Sequence, residues 1–261
     1  MLKVGVFDSG LGGLTVVKEM INSLQNATIY YVADTKNAPY GDKTPKQILN
    51  YSLEITRYFI EKYDIDALIL ACNTATAYAI EELRISYPNL IIIGTEPAIK
   101  PAIIQTKTDK IGVLATPATL QGEKYQNLAK RLCKEKDVTI YEQACKGLVE
   151  QIEKGELDTA KTKTMLEAWL KPMRENFVDT IVLGCTHYPL IADIIKEIML
   201  EKVTLIHSAK AISMHLLYLS EQKGHQNSGQ LEIYLEATGV IESAMVASIL
   251  KKPFNISYIS Y

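Results

Sequence analysis

The sequence predicts an α/β fold made of two similar parallel-sheet domains, related by a pseudo-two-fold axis, with a ligand site in the cleft between them. Short β-branched segments alternate with segments of helical periodicity, which is typical of βαβ units and a mainly parallel sheet. Two strand-and-turn segments also recur in the same order along the chain. In the pair that carries cysteine, polar residues follow the strand directly, at the edge where such sheets bind ligands.

The alternating segments divide into two sets. The predicted strands are KVGVF, TIYYVA, ALILA and LIIIG in the first set, and KIGVLA, DVTIYE, TIVLG and VTLI in the second. Helical spacing of apolar residues covers 45–63, 75–86, 119–136, 158–171 and 190–201. The prolines of EPAIKPA predict a crossover between the sets, and the tail carries one more strand candidate, NISYI. We therefore predict a first domain of residues 1–97 plus 208–261 and a second domain of residues 98–207.

The internal repeat is clearest in the two strand ends that carry cysteine. DALILACNTATA matches DTIVLGCTHYPL, so that Cys72 corresponds to Cys185. KVGVFDSG, from Lys3, corresponds in the same way to KIGVLATP, from Lys110. Chance similarity between apolar strands is the alternative, but a cysteine at both matched strand ends favours an internal duplication.

Composition argues against several classes of protein. The 261 residues carry a formal net charge of −2, which does not indicate a nucleic-acid surface. No apolar run reaches the roughly 18 residues of a membrane-spanning helix, and the first residues, MLKVGVFDSG, lack the apolar region of a signal peptide. Four cysteines without C-x-x-C spacing argue against a disulfide scaffold or a zinc ribbon. We expect a cytoplasmic protein with free thiols and with neither a nucleic-acid nor a membrane partner.

The two matched cysteines are the strongest candidates for chemistry. Each follows a buried strand where a helix is expected to begin, and the positive end of a helix lowers a thiol's pKa from about 8.5. Asn73, Thr74 and Thr186 add neutral hydrogen-bond donors beside the thiols. His187 follows Cys185 by two residues, within reach of proton exchange.

Two thiols on facing halves approach a bound molecule from opposite sides. One thiol can then remove a proton from a carbon while the other delivers a proton to its opposite face, as a two-base racemase requires. A zinc site made of Cys72, Cys185 and His187 is an alternative, although Cys-x-His is not a common ligand spacing. We expect Cys133 and Cys145 to be buried, inert thiols.

The first loop, FDSGLGGLTVV, allows two other interpretations. A strand, a glycine-rich turn and a helix start resemble a dinucleotide-binding site, and Asp34 lies about where a ribose-binding acid would. The spacing is not G-x-G-x-x-G, however, and Asp8 would place a negative charge where the pyrophosphate binds. In the second interpretation Asp8 only caps the helix that follows.

Six segments of the chain match one enzyme family in that family's own order, from residue 5 to residue 190. They are GVFDSGLGGLTV, DTKNAPYG, ACNTATA, GTEPAIKPA, LVEQIEKGE and LGCTHYPL. At these segments the chain resembles glutamate racemase, the cofactor-independent enzyme that supplies D-glutamate for peptidoglycan. ACNTA alone would indicate only the wider aspartate/glutamate racemase superfamily. The resemblance implies two α/β domains, the first completed by the C-terminal tail, glutamate as substrate, no cofactor or metal, and a homodimer.

The resemblance also implies roles for individual residues. Cys72 and Cys185 correspond to the two catalytic acid/bases. Asp8 assists on the Cys72 side, and Glu153 and His187 assist on the Cys185 side. The implied substrate-binding residues are Asp8, Ser9, Tyr40, Gly41, Asn73, Thr74, Thr116, Thr119, Thr186 and His187.

Four positions depart from the usual pattern of the family: Ala33, Asn37, Ala115 and His207. None of them removes a proposed acid, base or substrate donor. Two alternatives stay open, namely a related racemase or isomerase for aspartate, a hydantoin or a maleate-like acid, and a protein that binds an amino acid without turning it over. The presence of both thiols favours catalysis over binding alone.

Overall fold

A computed structural model describes residues 1–251 and 254–261 of the chain. The first of its two sheets contains β1 (Leu2–Asp8), β2 (Ala27–Ala33), β3 (Ala67–Leu70), β4 (Ile91–Gly94), β9 (Leu231–Ala237) and β10 (Ile256–Tyr258). These strands lie in the order β10-β9-β2-β1-β3-β4, and every neighbouring pair is parallel. The tail of the chain therefore completes the first sheet by pairing β9 with β2.

The second sheet repeats the topology of the first. It contains β5 (Lys110–Ala115), β6 (Thr139–Ala144), β7 (Thr180–Gly184) and β8 (Thr204–Ile206), all parallel, in the order β6-β5-β7-β8. The order β2-β1-β3-β4 in the first sheet is the same arrangement, with the first strand of the set between the second and the third. This confirms the predicted fold class. Division of the chain at 97/98 and 207/208 stays a prediction.

Helices cover both sheets. They are α1 (Leu14–Ser23), α2 (Pro45–Tyr63), α3 (Asn73–Ser86), α4 (Ile99–Gln105), α5 (Pro117–Gln121), α6 (Glu123–Lys136), α7 (Leu148–Glu153), α8 (Ala160–Glu175), α9 (Ala192–Ile198), α10 (Ala209–Gln222) and α11 (Ser243–Leu250). One continuous core joins the two sheets to α1, α7, α8, α9, α10 and α11. Separate cores lie under α2 and α3 and under α4 and α6.

The short strand β3 shows how the sequence places the first thiol. Because successive side chains of a strand point to opposite faces, Ala67 and Ile69 enter the shared core while Leu68 and Leu70 enter the core under α2 and α3. All four residues are fully buried, which is typical of a central parallel strand. The strand ends just before Cys72, which therefore lies at the carboxyl edge of the sheet.

The structure corrects two local predictions and adds one strand that was not predicted. The helix predicted over 119–136 is two helices, because Gly122 has an extended backbone conformation between α5 and α6. The helix predicted over 190–201 begins as a 3-10 turn, Tyr188–Ile191, before α9. The sequence reasoning missed β9 altogether, although LEIYLEA alternates apolar and polar residues through its first half. The strand predicted at NISYI is confirmed by β10.

In the part of the chain that the structure describes, no helix combines the length and the apolar character needed to cross a membrane.

Candidate active site

Strand ends from both sheets line one small cavity, with a volume of about 30 Å³. The predicted site residues that line it are Asp8, Ser9, Tyr40, Gly41, Cys72, Asn73, Thr74, Thr116, Cys185, Thr186 and His187. Glu153 and Thr119 do not line the cavity but bind residues that do. The fold thus brings together side chains from positions 8 to 187, and both matched thiols are among them.

A much larger groove, of about 1150 Å³, lies elsewhere on the molecule. Arg84, Arg131 and His207 are among its lining residues, but none of the predicted catalytic or substrate-binding residues is. His207, which departs from the family pattern, therefore lies away from the thiols. The small cavity holds both thiols, and the larger groove holds neither.

Cys72 is the N-cap residue of α3 and is 6% exposed. The backbone N–H of Ala75 donates to its Sγ atom at 3.4 Å, and the Ser9 hydroxyl lies 3.9 Å from the same atom. The position at a helix start is as predicted, but the predicted lowering of the thiol's pKa is wrong. Burial raises the pKa of Cys72 well above its usual value, and the negative charge of Asp8 raises it further.

Asp8 ends β1 and connects the two halves of the site. One carboxylate oxygen accepts from the Ser9 N–H at 2.8 Å, and the other accepts from the Gly13 N–H at 2.5 Å and from the Thr186 hydroxyl at 3.1 Å. Burial raises the pKa of Asp8. Since Gly13 is the N-cap residue of α1, Asp8 does cap this helix start, as one interpretation predicted, and in addition it binds Thr186 of the opposite half.

Cys185 has different surroundings, because a 3-10 turn rather than an α-helix follows it. Its Sγ atom lies 3.7 Å from Nδ1 of His187, and Nε2 of His187 pairs with the Glu153 carboxylate. The Leu11 N–H also donates to Glu153, at 2.6 Å. The three side chains form a relay in which a proton can pass between the thiol and the imidazole.

The pKa values of His187 and Glu153 are set by the groups that these side chains contact. Burial by itself lowers the pKa of His187, but the side chains of Cys185 and Glu153 outweigh burial and raise that pKa well above 6.5. Burial likewise opposes ionisation of Glu153, but hydrogen bonds from His187 and Leu11 outweigh it, and the pKa of Glu153 is lowered. The contacts with Cys185 and Glu153 therefore favour the protonated form of His187.

The glycines of the first loop allow this relay to contact the opposite half. A Cβ atom at Gly10 would overlap the Glu153 carboxylate, and one at Gly12 would overlap the His187 ring. These glycines are therefore explained by close packing against second-half side chains. Asp34, the candidate ribose acid of the dinucleotide alternative, instead accepts hydrogen bonds from protein groups: Asn37, Tyr40 and Thr238.

Three threonine hydroxyls meet across the cleft. Oγ1 of Thr74, at the start of α3, lies 3.0 Å from Oγ1 of Thr116 and 3.3 Å from that of Thr119. Thr116 caps α5 by accepting from the Thr119 N–H at 3.2 Å. All three residues are buried. Hydroxyl groups held in this way can donate to a carboxylate without supplying a charge.

The side chain of Tyr40 is bound within the first half of the site. Its hydroxyl donates to Asp34 at 2.6 Å, which fixes the ring in the core of the first half. Asn37, a second departure from the family pattern, also donates to Asp34, at 3.1 Å. Gly41 lies against Thr116, where an added Cβ would come within 3.3 Å of the Thr116 side chain. This loop therefore faces the second half across the cavity.

The sequence reasoning missed the part of the lining that comes from the β6–α7 connection and from the start of α7. The connection contributes Cys145, Lys146 and Gly147, and α7 contributes Val149 and Glu150. Pro39, Asp42 and Pro117 complete the lining. Cys145 is buried, as expected, yet it also lines the cavity, and burial raises its pKa. The strand topology could have predicted this part of the lining. Because β6 runs parallel to β5, it ends at the same edge of the sheet.

Within residues 1–251 and 254–261, no group of three or more His, Cys, Asp or Glu side chains is arranged to hold a metal ion. The zinc alternative therefore has no ligand cluster to support it among these residues.

Comparison with known proteins identifies the family. Residues 4–216 match the Asp/Glu/hydantoin racemase family. The chain belongs to this family. It is 58% identical over 259 residues to the glutamate racemase of Sulfurovum sp. (strain NBC37-1), covering 99% of this chain and 98% of that protein. The matched range contains every residue that we predicted for the site of this racemase-family member.

Solved structures of glutamate racemases match the fold of this chain. A glutamate racemase isoform from Bacillus anthracis matches with a TM-score of 0.87 at 30% identity, covering 99% of this chain and 97% of that one. The glutamate racemase of Francisella tularensis, solved in complex with D-glutamate, matches with a TM-score of 0.84 at 27% identity, over 99% and 97% of the two chains.

Proposed function

We propose that the chain is a glutamate racemase, which interconverts L- and D-glutamate by proton transfer at the α-carbon without a cofactor. The observation that carries this proposal is that two cysteines, at equivalent strand ends of two equivalent sheets, line one cavity. The identity of 58% with a glutamate racemase supports glutamate as substrate.

In the proposed reaction, Cys72 and Cys185 act on opposite faces of the α-carbon. The thiolate on one side removes the α-proton, and the thiol on the other side delivers a proton to the opposite face. The two residues exchange roles in the reverse direction. Two similar half-sites suit this reaction, because substrate and product are mirror images.

The two halves supply the reactive thiolate differently. At Cys72, the Ala75 N–H and the Ser9 hydroxyl favour the thiolate while burial and Asp8 oppose it. The ammonium group of the substrate, bound near Asp8, offsets that negative charge. At Cys185, His187 can accept and return the proton through Nδ1, and Glu153 holds His187 in place.

The remaining residues bind the substrate and stabilise the negative charge that develops on it. Ser9, Asn73, Thr74, Thr116, Thr119, Thr186 and the Tyr40–Gly41 backbone are the proposed substrate-binding groups. Fixed donors around the carboxylate stabilise the negative charge that develops as the α-proton leaves. Exclusion of water from a small buried cavity strengthens these interactions.

Three further parts of the proposal rest on the family resemblance. The enzyme would be a homodimer, it would act in the cytoplasm, and it would supply D-glutamate for peptidoglycan. The first domain would contain residues 1–97 plus 208–261 and the second domain residues 98–207, with the cavity between them.

Circular dichroism of L-glutamate tests the activity directly. Purified protein with reducing agent and without pyridoxal phosphate should bring the ellipticity of L-glutamate to zero. Cys133→Ser, which removes a thiol outside the cavity, should leave the rate unchanged. If the ellipticity of L-aspartate decays and that of L-glutamate does not, the proposed substrate is wrong and the proposed proton transfer stands. Binding of glutamate without any decay would contradict the proposed catalysis.

A further inference from the structure

Lys146 is the one lysine or arginine among the described residues that line the cavity. Three carboxylates, those of Asp8, Asp42 and Glu150, line the same space. Neutral donors can bind a carboxylate, but they do not neutralise its charge. Lys146 is therefore the one lysine or arginine at the described lining that can offset the charge of a substrate with two carboxylates.

The other basic side chain that lines the cavity, His187, is already paired. Glu153 binds its Nε2 atom, and Nδ1 faces the Cys185 thiol. By contrast, the ion pairs found among residues 1–251 and 254–261 do not include Lys146. Its ammonium group is therefore available to an anionic ligand.

The backbone around Lys146 is held on both sides. The N–H of the buried Cys145 donates to the Ala115 carbonyl at 2.9 Å, which fixes the segment to the end of β5. Gly147 has a φ of 81°, a conformation that favours glycine, and the buried Leu148 follows it. Lys146 itself is exposed. An exposed side chain on a fixed backbone at the lining of a cavity lies at its mouth.

Depth in the cavity indicates which carboxylate Lys146 can reach. The reacting α-carbon must lie beside the buried thiols of Cys72 and Cys185. The α-carboxylate and the ammonium group are bonded to that carbon, so they lie at the same depth, near the buried hydroxyls. The side-chain carboxylate, which is separated from the α-carbon by two methylene groups, can extend to the mouth.

We propose that Lys146 is a specificity-determining residue that binds the side-chain carboxylate of an acidic amino acid in this cavity. The proposal deepens the proposed function and rests on it. Lys146 selects substrates by their distal negative charge, whereas the two thiols perform the proton transfer.

Steady-state racemisation by Lys146→Met and Lys146→Arg tests the proposal. Lys146→Met should raise the KM for glutamate about tenfold or more and change kcat by less than about threefold, because a lost ion pair weakens binding and leaves the thiols in place. Lys146→Arg should restore most of the KM. Added salt should raise the KM of the wild-type enzyme and have little effect on Lys146→Met, since salt screens the attraction.

Lys154→Met is the matched control, because it removes an equal charge from an exposed residue that lies at the end of α7 and does not line the cavity. Its KM should match that of the wild type. An unchanged KM in Lys146→Met, or a fall in kcat alone, would overturn the proposal. If the wild-type protein does not racemise glutamate, the proposed function fails, and calorimetric titration with L-glutamate then decides Lys146 separately. Tenfold weaker binding by Lys146→Met supports its role, and equal binding overturns it.

Discussion

At the scale of residues, Cys72 and Cys185 occupy equivalent strand ends but have different partners. Cys72 lies at the start of α3, where a backbone N–H contacts its sulfur. Cys185 lies beside His187, which in turn is bound by Glu153. The two halves therefore hold the thiol at the same position but surround it with different groups.

Replacement of His187 tests the relay at Cys185. His187→Asn should lower kcat/KM for glutamate by about 10²-fold or more, in the range found for loss of a general acid/base. The decrease should be the same from L- and from D-glutamate, because enantiomers have equal free energies and the equilibrium favours neither. Initial rates in both directions measure this, and activity close to that of the wild type would contradict the assigned role.

The pair of Glu153 and His187 predicts a pH dependence of stability. The folded pKa of His187 is raised above its unfolded value of about 6.5, so its contribution is complete below that pH and is lost as pH rises through the folded pKa. The folded pKa of Glu153 is lowered, so its contribution is complete above about pH 4.3 and is lost as pH falls through the folded pKa. The pair thus stabilises the fold fully between these two values.

Glu153→Gln should therefore destabilise the protein most between about pH 4.3 and pH 6.5. Urea unfolding of both proteins at pH 5.5 and at several higher pH values measures the difference in the free energy of unfolding. The difference should shrink once the pH passes the raised pKa of His187. A difference that does not change with pH would show that the charges of this pair do not stabilise the fold.

At the scale of elements, the glycine-rich loop after β1 is a docking segment between the two halves. Leu11 binds Glu153 through its N–H, and Asp8 accepts from Thr186. The hydroxyl of Thr15 donates to the Thr186 carbonyl at 3.1 Å. Closely spaced glycines follow from this packing, since side chains at Gly10 and Gly12 would displace the relay.

The strand β9 is held in the first sheet by a buried charge. Glu236 accepts hydrogen bonds from Tyr58 at 2.9 Å and from Tyr63 at 2.6 Å, and it pairs with Lys62 at 3.0 Å. All three partners belong to α2, so this network ties the tail of the chain to the helix that covers the sheet. Two tyrosine hydroxyls and an ammonium group would lose their common acceptor without it.

Glu236→Ala should lower the free energy of unfolding by about 1.5–3 kcal/mol, the usual contribution of hydrogen bonds to a charged group. Glu232→Gln changes an exposed glutamate of the same strand and should stay within about 0.5 kcal/mol of the wild type. Urea denaturation of the three proteins gives the comparison. Equal stability of Glu236→Ala and Glu232→Gln would show that the network contributes little.

At the scale of the whole molecule, the repeat determines the site. Each sheet places its thiol after the third strand of its set, and the two carboxyl edges meet at one cavity. Both thiols are buried where these edges meet, away from bulk water.

The sequence predicted those parts of this arrangement that leave a local signal. Cys72, Cys185 and His187 were recognisable because polar residues interrupt apolar strands at the sheet edge. The pairing of β9 with β2 joins segments about two hundred residues apart, and no local sequence pattern predicts this pairing. Lys146 was missed because an exposed lysine after a strand has no distinctive pattern. The pKa of Cys72 depends on burial by distant segments, which outweighs the helix start that the sequence reveals.

The central claim is that two thiols act on opposite faces of one α-carbon. Racemisation of L-glutamate in D₂O, stopped at low conversion and analysed by mass spectrometry of the separated enantiomers, tests it most directly. The D-glutamate formed should carry deuterium at the α-carbon while the remaining L-glutamate carries almost none, and Cys72→Ala and Cys185→Ala should each form no D-glutamate. D-Glutamate that retains protium, or activity in either cysteine variant, would contradict the account.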